Sequence, residues 1–187
     1  RELPARRRDR AGQHRRERQR QARRVQEHHA ARRGRARARE ARRGAGQDVD
    51  ILVDAGQVWD WKTALQRAES FAEYDIFWLE EPLHPQDVAG YAQLCAASPV
   101  PIATGEAESN LTDFEHLLTE GEIDWVQPDP GRCGISNMVA VGRMAHKMHR
   151  KVVNHSFKSG ITIAASLHGL AAVPHGEVFE YCMADSP

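Results

Sequence analysis

From residue 51 onward, six short apolar runs are each closed by one ionisable residue: Asp54, Glu80, Glu106, Asp129, His155 and Glu180. Successive members are 26, 26, 23, 26 and 25 residues apart. A beat of that length fits one strand plus one helix. The runs Ile51–Asp54, Ile76–Leu79, Val100–Ala103, Trp125–Gln127, Val152–Val153 and Val178–Tyr181 are short and rich in β-favouring residues, as strands buried on both faces are. Between them, Trp61–Tyr74, Pro85–Ala97, Leu111–Glu120, Ser136–His149 and Ile161–Val173 are expected to be helices. Their apolar residues recur at three and four, as in Ala64, Leu65, Ala68, Phe71 and Ala72, or Phe114, Leu117 and Leu118. Gly121 and Pro174 stand where two of these helices should stop.

Strand and helix in strict alternation predict an α/β fold with a parallel sheet, and the evenness of the beat predicts part of a TIM (β/α)8 barrel. A whole barrel takes about 250 residues; this chain has 187. In such a barrel the C-terminal strand ends face one another, so residues far apart in sequence build one site. Three successive carboxylates at strand ends are the oxygen donors a hard cation such as Mg²⁺ takes while keeping room for water and substrate. Any one of them alone could be a surface-loop acid or a helix cap. Six at one beat favour a common site.

The formal charge of zero conceals two unlike segments. Residues 1–47 carry 18 Arg, no Lys and 5 acids, whereas residues 48–187 carry 8 basic and 21 acidic residues. Beyond alanine, the first segment has Leu3, Pro4 and Val25 and little else to bury, so it cannot offset the cost of ordering its backbone. It is expected to be disordered or irregularly helical, with helix favoured between about Arg15 and Arg43 because Arg, Ala, Gln and Glu are helix formers. An Arg-rich block could neutralise phosphates, but it lacks aromatic residues for base stacking and any nucleic-acid motif, so a nucleic-acid partner is the weaker reading. A shifted reading frame in GC-rich DNA accounts best for such a composition ending abruptly at a well-patterned strand.

Cys95, Cys133 and Cys182 form no CxxC pattern and are odd in number, which argues against a disulfide framework or a zinc site. With no apolar run near 18 residues and no signal-peptide pattern, a cytoplasmic protein with no membrane partner is expected.

The ordered set Val53-Asp54-Ala55-Gly56, Trp78-Leu79-Glu80-Glu81-Pro82, Ala103-Thr104-Gly105-Glu106, Gln127-Pro128-Asp129 and Asn154-His155-Ser156 resembles the C-terminal barrel domain of the enolase superfamily. Within it, the set is similar to the mandelate racemase and muconate lactonizing enzyme branch, and most of all to its acid-sugar dehydratases. The resemblance covers residues 48–187 and implies barrel strands 3 to 8. It also implies that Asp54, Glu80 and Glu106 hold Mg²⁺, that His155 and Asp129 form a catalytic dyad, and that Glu180 hydrogen-bonds a developing enolate. The implied substrate is a small sugar acid and the implied assembly a homo-oligomer.

The chemistry implied is removal of the proton beside a carboxylate, followed by loss of a β-hydroxyl as water, or by return of the proton in an epimerisation. Imidazole suits the first step because it titrates near neutrality, and Asp129 would fix its tautomer. Lys158 could reach a substrate carboxylate or lie in solvent, and His84 sits on a loop that could face substrate. The family's first two strands, the Lys-x-Lys motif that usually ends the second, and the capping domain find no counterpart, since Lys62, Lys147, Lys151 and Lys158 lie elsewhere. An incomplete, inactive barrel fragment is therefore the alternative expectation, and an open sheet would be prone to aggregate.

Overall fold

The structure is a computed structural model that describes residues 34–156, 159–176 and 178–181. The chain divides into two units, Arg1–Gly46 and Gln47–Pro187. In the first, residues 34–45 are helical. Gly46 ends that helix at φ 82°, its N–H donating to Arg42 O and its carbonyl accepting from the Arg42 guanidinium, which is the left-handed stop that glycine permits. The expected helix between Arg15 and Arg43 is seen in this part; the remainder of that stretch lies outside the described residues.

The second unit alternates as the beat requires. Strands β1 (Ile51–Asp54), β2 (Ile76–Glu80), β3 (Ile102–Thr104), β4 (Trp125–Val126) and β5 (Lys151–Val152) are separated by helices α1 (Trp61–Ala72), α2 (Val88–Ala97), α3 (Leu111–Thr119) and α4 (Pro130–Lys147), and α5 (Gly160–Ala171) follows β5. The strands form one parallel sheet in chain order. A strand over Val178–Tyr181 was expected, but among the described residues this run is a single parallel bridge, Val153 to Val178. A side chain takes over the ladder at this point. Asn154 Nδ2 donates to Glu180 O and Asn154 Oδ1 accepts from Glu180 N, each at 3.0 Å.

Helix starts follow from their caps. Asp60, Asp87 and Asn110 accept backbone N–H groups at the starts of α1, α2 and α3, and Ser159 with Thr162 forms a reciprocal capping box on α5, each satisfying donors that have no partner inside the helix. Helix α4 joins two pieces across Gly134: the longer one is the helix expected from Ser136, and a short turn from Pro130 precedes it. Asp129 caps α4, Pro130 occupies its first turn, and Gly134 interrupts it at φ 78°, ψ 156°. The first turn carries few apolar residues, so periodicity alone missed it. Among the described residues no helix is long and apolar enough to cross a membrane.

Helix faces bury Ala64, Ala68, Phe71, Tyr91, Leu94, Phe114, Leu117, Met138 and Val141. A second cluster joins Trp78, Ala103, Trp125 and Val153, with Phe77 and Val178 against it. The Trp78 and Trp125 rings lie 5.1 Å apart, tilted by 52°, a favourable aromatic geometry. Each cluster residue precedes the ionisable residue of its own run by two to four positions, so the cluster is the floor beneath those strand ends. At the opposite ends, Asp124 accepts the Ile102 N–H at 2.8 Å and faces Arg150 at 3.6 Å. Replacing Asp124 with Ala strands a β3 donor. It is expected to cost about 1–2 kcal/mol, read as a lower urea midpoint with an unchanged m-value.

Candidate metal-assisted acid–base site

The strand register delivers the acids to one level. Asp54 pairs with Glu80, and Glu80 with Ala103. Pairing continues past the strands, with Ala55 N donating to Glu80 O, Glu81 N to Ala103 O, Gln127 N to Thr104 O and His155 N to Pro128 O. Gly105 makes the turn that presents Glu106: its φ is 124°, and a Cβ there would stand 3.2 Å from Gln127 N and 3.3 Å from Val126 Cγ2. Neither the dihedral nor the space suits a larger residue.

Asp54, Gly56, Glu80, Glu81, Glu106, His155 and Glu180 line one cavity of about 430 Å³. Five of the six residues given an ionisable role at the strand ends thus share it. The sixth, Asp129, stands behind His155, 1% exposed. Its Oδ2 lies 3.1 Å from His155 Nδ1, while its Oδ1 accepts the Gly131 N–H at 2.7 Å as the cap of α4. Helix cap and dyad partner, posed as alternatives by the sequence, are held by the two oxygens of one carboxylate. His155 Nε2 faces Glu106 Oε2 at 3.1 Å. Carboxylates flank both ring nitrogens, so only an imidazole protonated at both can donate to both.

Burial is the main cause of the acids' raised pKa values. Glu80 is raised by burial, lowered by the Gln127 amide and the Trp78 indole, and raised again by Asp54 and Glu106. Burial pushes Glu81 up to about 7 against the opposing hydrogen bond from Gln57, with Glu106, Asp54 and Glu80 adding repulsion. Burial also pushes Glu180 to about 7, Glu80 raising it further and His155 lowering it.

Several functional candidates escaped the sequence reading. Trp78 Nε1 donates to Glu80 Oε2 at 2.9 Å from within the same strand; its spacing of two, placing both side chains on one face, was the available signal. Asn154, fully buried, fixes Glu180 as described above. Gln127, also fully buried, lies near enough to Glu80 to lower its pKa, yet neither of its amide atoms makes a hydrogen bond of good geometry. Gln57 and Glu81 pair across the cavity rim. By contrast, His84 Nδ1 accepts the Gln86 N–H within its own loop and does not line the cavity. Lys158 lies outside the described residues.

The donor set suits a hard divalent cation, because among the described residues five carboxylates and no Lys or Arg line the cavity and oxygen ligands of that charge are what Mg²⁺ and Ca²⁺ take. Among the described residues, no three His, Cys, Asp or Glu side chains converge as a finished cage.

Known proteins share this arrangement of elements. The family described as enolase C-terminal domain-like matches residues 6–187, a span that extends well into the Arg-rich segment. L-talarate/galactarate dehydratase of Salmonella typhimurium is 37% identical over 134 residues, 71% of this chain and 32% of that protein. D-galactarolactone cycloisomerase of Agrobacterium fabrum is 30% identical over 133 residues, 71% of this chain and 35% of that protein. The chain thus spans about a third of the length of these relatives. Among solved structures, a Streptomyces coelicolor racemase with bound magnesium superposes with a TM-score of 0.75 at 27% identity, covering 81% of this chain and 41% of that one.

Proposed function

From the premise that this chain belongs to the enolase C-terminal domain-like family, we propose that its site removes the proton alpha to the carboxylate of a sugar acid and then expels the β-hydroxyl as water. The observation that carries this reading is the single cavity shared by Asp54, Glu80, Glu106, His155 and Glu180, with Asp129 buttressing the histidine. The relatives' names, dehydratase, cycloisomerase and racemase, describe reactions that can begin with the same proton removal.

Asp54, Glu80 and Glu106 would hold Mg²⁺, which supplies Lewis-acid stabilisation of the negative charge that develops on the substrate carboxylate. When Glu106 engages a cation, His155 Nε2 is the nitrogen left to face substrate. It takes the α-proton, while Asp129 keeps Nδ1 protonated and stabilises the imidazolium. The same imidazolium then gives its proton to the departing β-hydroxyl, so water leaves and the enol product becomes a 2-keto-3-deoxy acid on tautomerisation. Glu180, which burial pushes up toward neutrality, donates a hydrogen bond to the enediolate in its protonated form. The proposed setting is the cytoplasm, and the proposed assembly a homo-oligomer.

Incubation with Mg²⁺ and galactarate in D₂O tests the reading by ¹H NMR. Loss of the C2 proton signal with growth of the signal of a monodeuterated 3-deoxy carbon (CHD) supports dehydration, and loss without that signal supports epimerisation. A second reading, cation binding without turnover, is favoured by Leu52, which is 44% exposed on β1, the outermost strand among the described residues, and shares the Asp54 face. Mg²⁺ binding by calorimetry with no exchange at C2 would select it. Neither binding nor exchange would defeat both readings.

A further inference from the structure

We propose that Gln57 and Glu81 form a latch that sets the spacing of Asp54 and Glu80, making both of them positioning residues for the cation site. The inference rests on the metal reading given above. Gln57 Nε2 donates to both oxygens of Glu81 at 2.7 Å, and Gln57 N donates to Glu81 O at 2.6 Å. The joint therefore has side-chain and backbone components. It lies three residues beyond Asp54 and one beyond Glu80, the two residues that face each other in the β1–β2 register. Trp59 N donates to Pro82 O immediately beyond it, so the two chain segments stay paired from the strands up to the rim.

Two observations argue against an ordinary buried polar contact. Gln57 at φ 65° and Glu81 at φ 41° both adopt the left-handed region, which costs residues with a Cβ and persists where surrounding contacts enforce it. Glu81 is also only 5% exposed, in a cavity already lined by Asp54, Glu80, Glu106 and Glu180. A neutral side chain would pack there without the repulsion that Glu106, Asp54 and Glu80 exert on this acid. What it provides is the bidentate acceptor that Gln57 grips. With the latch closed, the turns after β1 and β2 cannot slide past each other, and the Asp54 and Glu80 carboxylates keep one separation.

Calorimetric titration of the 187-residue chain with MgCl₂ tests the latch, with thermal melts in EDTA as the folding control. Gln57→Ala is expected to weaken Mg²⁺ binding about ten- to a hundredfold, the usual effect of losing a partner that orients a ligand. Gln57→Asn, one methylene too short to reach, is the milder variant that serves if the alanine chain does not fold. The exchanged pair Gln57→Glu with Glu81→Gln recreates the contact with donor and acceptor reversed, and is expected to restore binding to within about threefold of the parent chain. If Gln57→Asn binds Mg²⁺ as the parent does, the latch is overturned while the metal reading stands. If the exchanged pair stays as weak as Gln57→Ala, Glu81 acts through its own charge and the latch is again overturned. A parent chain that binds no Mg²⁺ overturns the metal reading and this inference together.

Discussion

Replacing His155 by Asn is expected to leave a folded chain that still binds Mg²⁺ and to slow proton exchange at the substrate's C2 by about 10²–10⁴-fold, the range that a positioned general base contributes. The residue is 4% exposed and meets Asp129 through Nδ1 and Glu106 through Nε2. Asparagine retains a polar amide of similar reach that can donate to Asp129, but no atom that takes up a proton near neutral pH. Asp129→Ala is a less clean probe because it also removes the cap that accepts the Gly131 N–H, adding about 1 kcal/mol of lost stability. Deuterium wash-in at C2, followed by NMR in both proteins at matched Mg²⁺ saturation, measures the effect. An unchanged exchange rate in His155→Asn would remove His155 from the role of base and leave the cavity carboxylates as the remaining candidates.

Most of the fold could be read from the sequence because βα units carry their signals locally. Strands β1 and β2 and helices α1 and α3 fall within two residues of where composition and period place them, since the strands are short β-favouring runs and each of the two helices has an apolar face and a capped start in its own segment. Helix α2 starts three residues later than expected, at Val88, and at two further places a side chain replaced backbone logic. Helix α4 begins at a Pro-Gly pair held by the Asp129 carboxylate, which hydrophobic period does not register. Beyond Val178, the sixth run makes no ladder among the described residues because Asn154 occupies the backbone groups of Glu180; strand propensity in that run carries no trace of a partner 26 residues upstream.

The site divides along the same line. The beat alone brings out Asp54, Glu80, Glu106, His155 and Glu180, because parallel strands of equal spacing end at one level, and all five line the cavity. The beat cannot tell which oxygen of Asp129 caps a helix and which meets His155. Nor can it find the residues that act between units: Gln57 reaches Glu81 across 24 positions, and Asn154 reaches Glu180 across 26. The Glu80-Glu81 pair illustrates the difference most directly. By residue type the two are alike, and the beat and the resemblance single out the first without saying what the second does; the chain turns into the left-handed region at the second. That turn leaves Glu80 to the Trp78 indole and gives Glu81 to Gln57.

Glu80→Gln is expected to move cation binding and stability in opposite directions. Glu80 is 8% exposed and faces Asp54 and Glu106, whose charges add to the cost of burying its own. Glutamine has nearly the same shape and keeps a carbonyl oxygen for Trp78 Nε1 to donate to, so little packing is lost while a desolvated charge and its repulsions disappear. In EDTA the variant should be about 1 kcal/mol more stable than the parent chain, a rise of roughly 2–4 °C for a chain of this length. In MgCl₂ the order should reverse. A cation that binds only the folded chain stabilises it by about 2.7 kcal/mol at a hundred times its Kd, and the variant, lacking one of the three charged oxygen ligands proposed above, should lose more than about a hundredfold in affinity and with it nearly all of that gain. Paired thermal melts in EDTA and MgCl₂ read both effects from the same samples. A Glu80→Gln chain that gains as much from Mg²⁺ as the parent would show that the cation sits elsewhere. One that melts below the parent in EDTA would show that Glu80 holds the strand ends together through contacts beyond its indole bond, and that the acidic cavity costs the fold less than its charge implies.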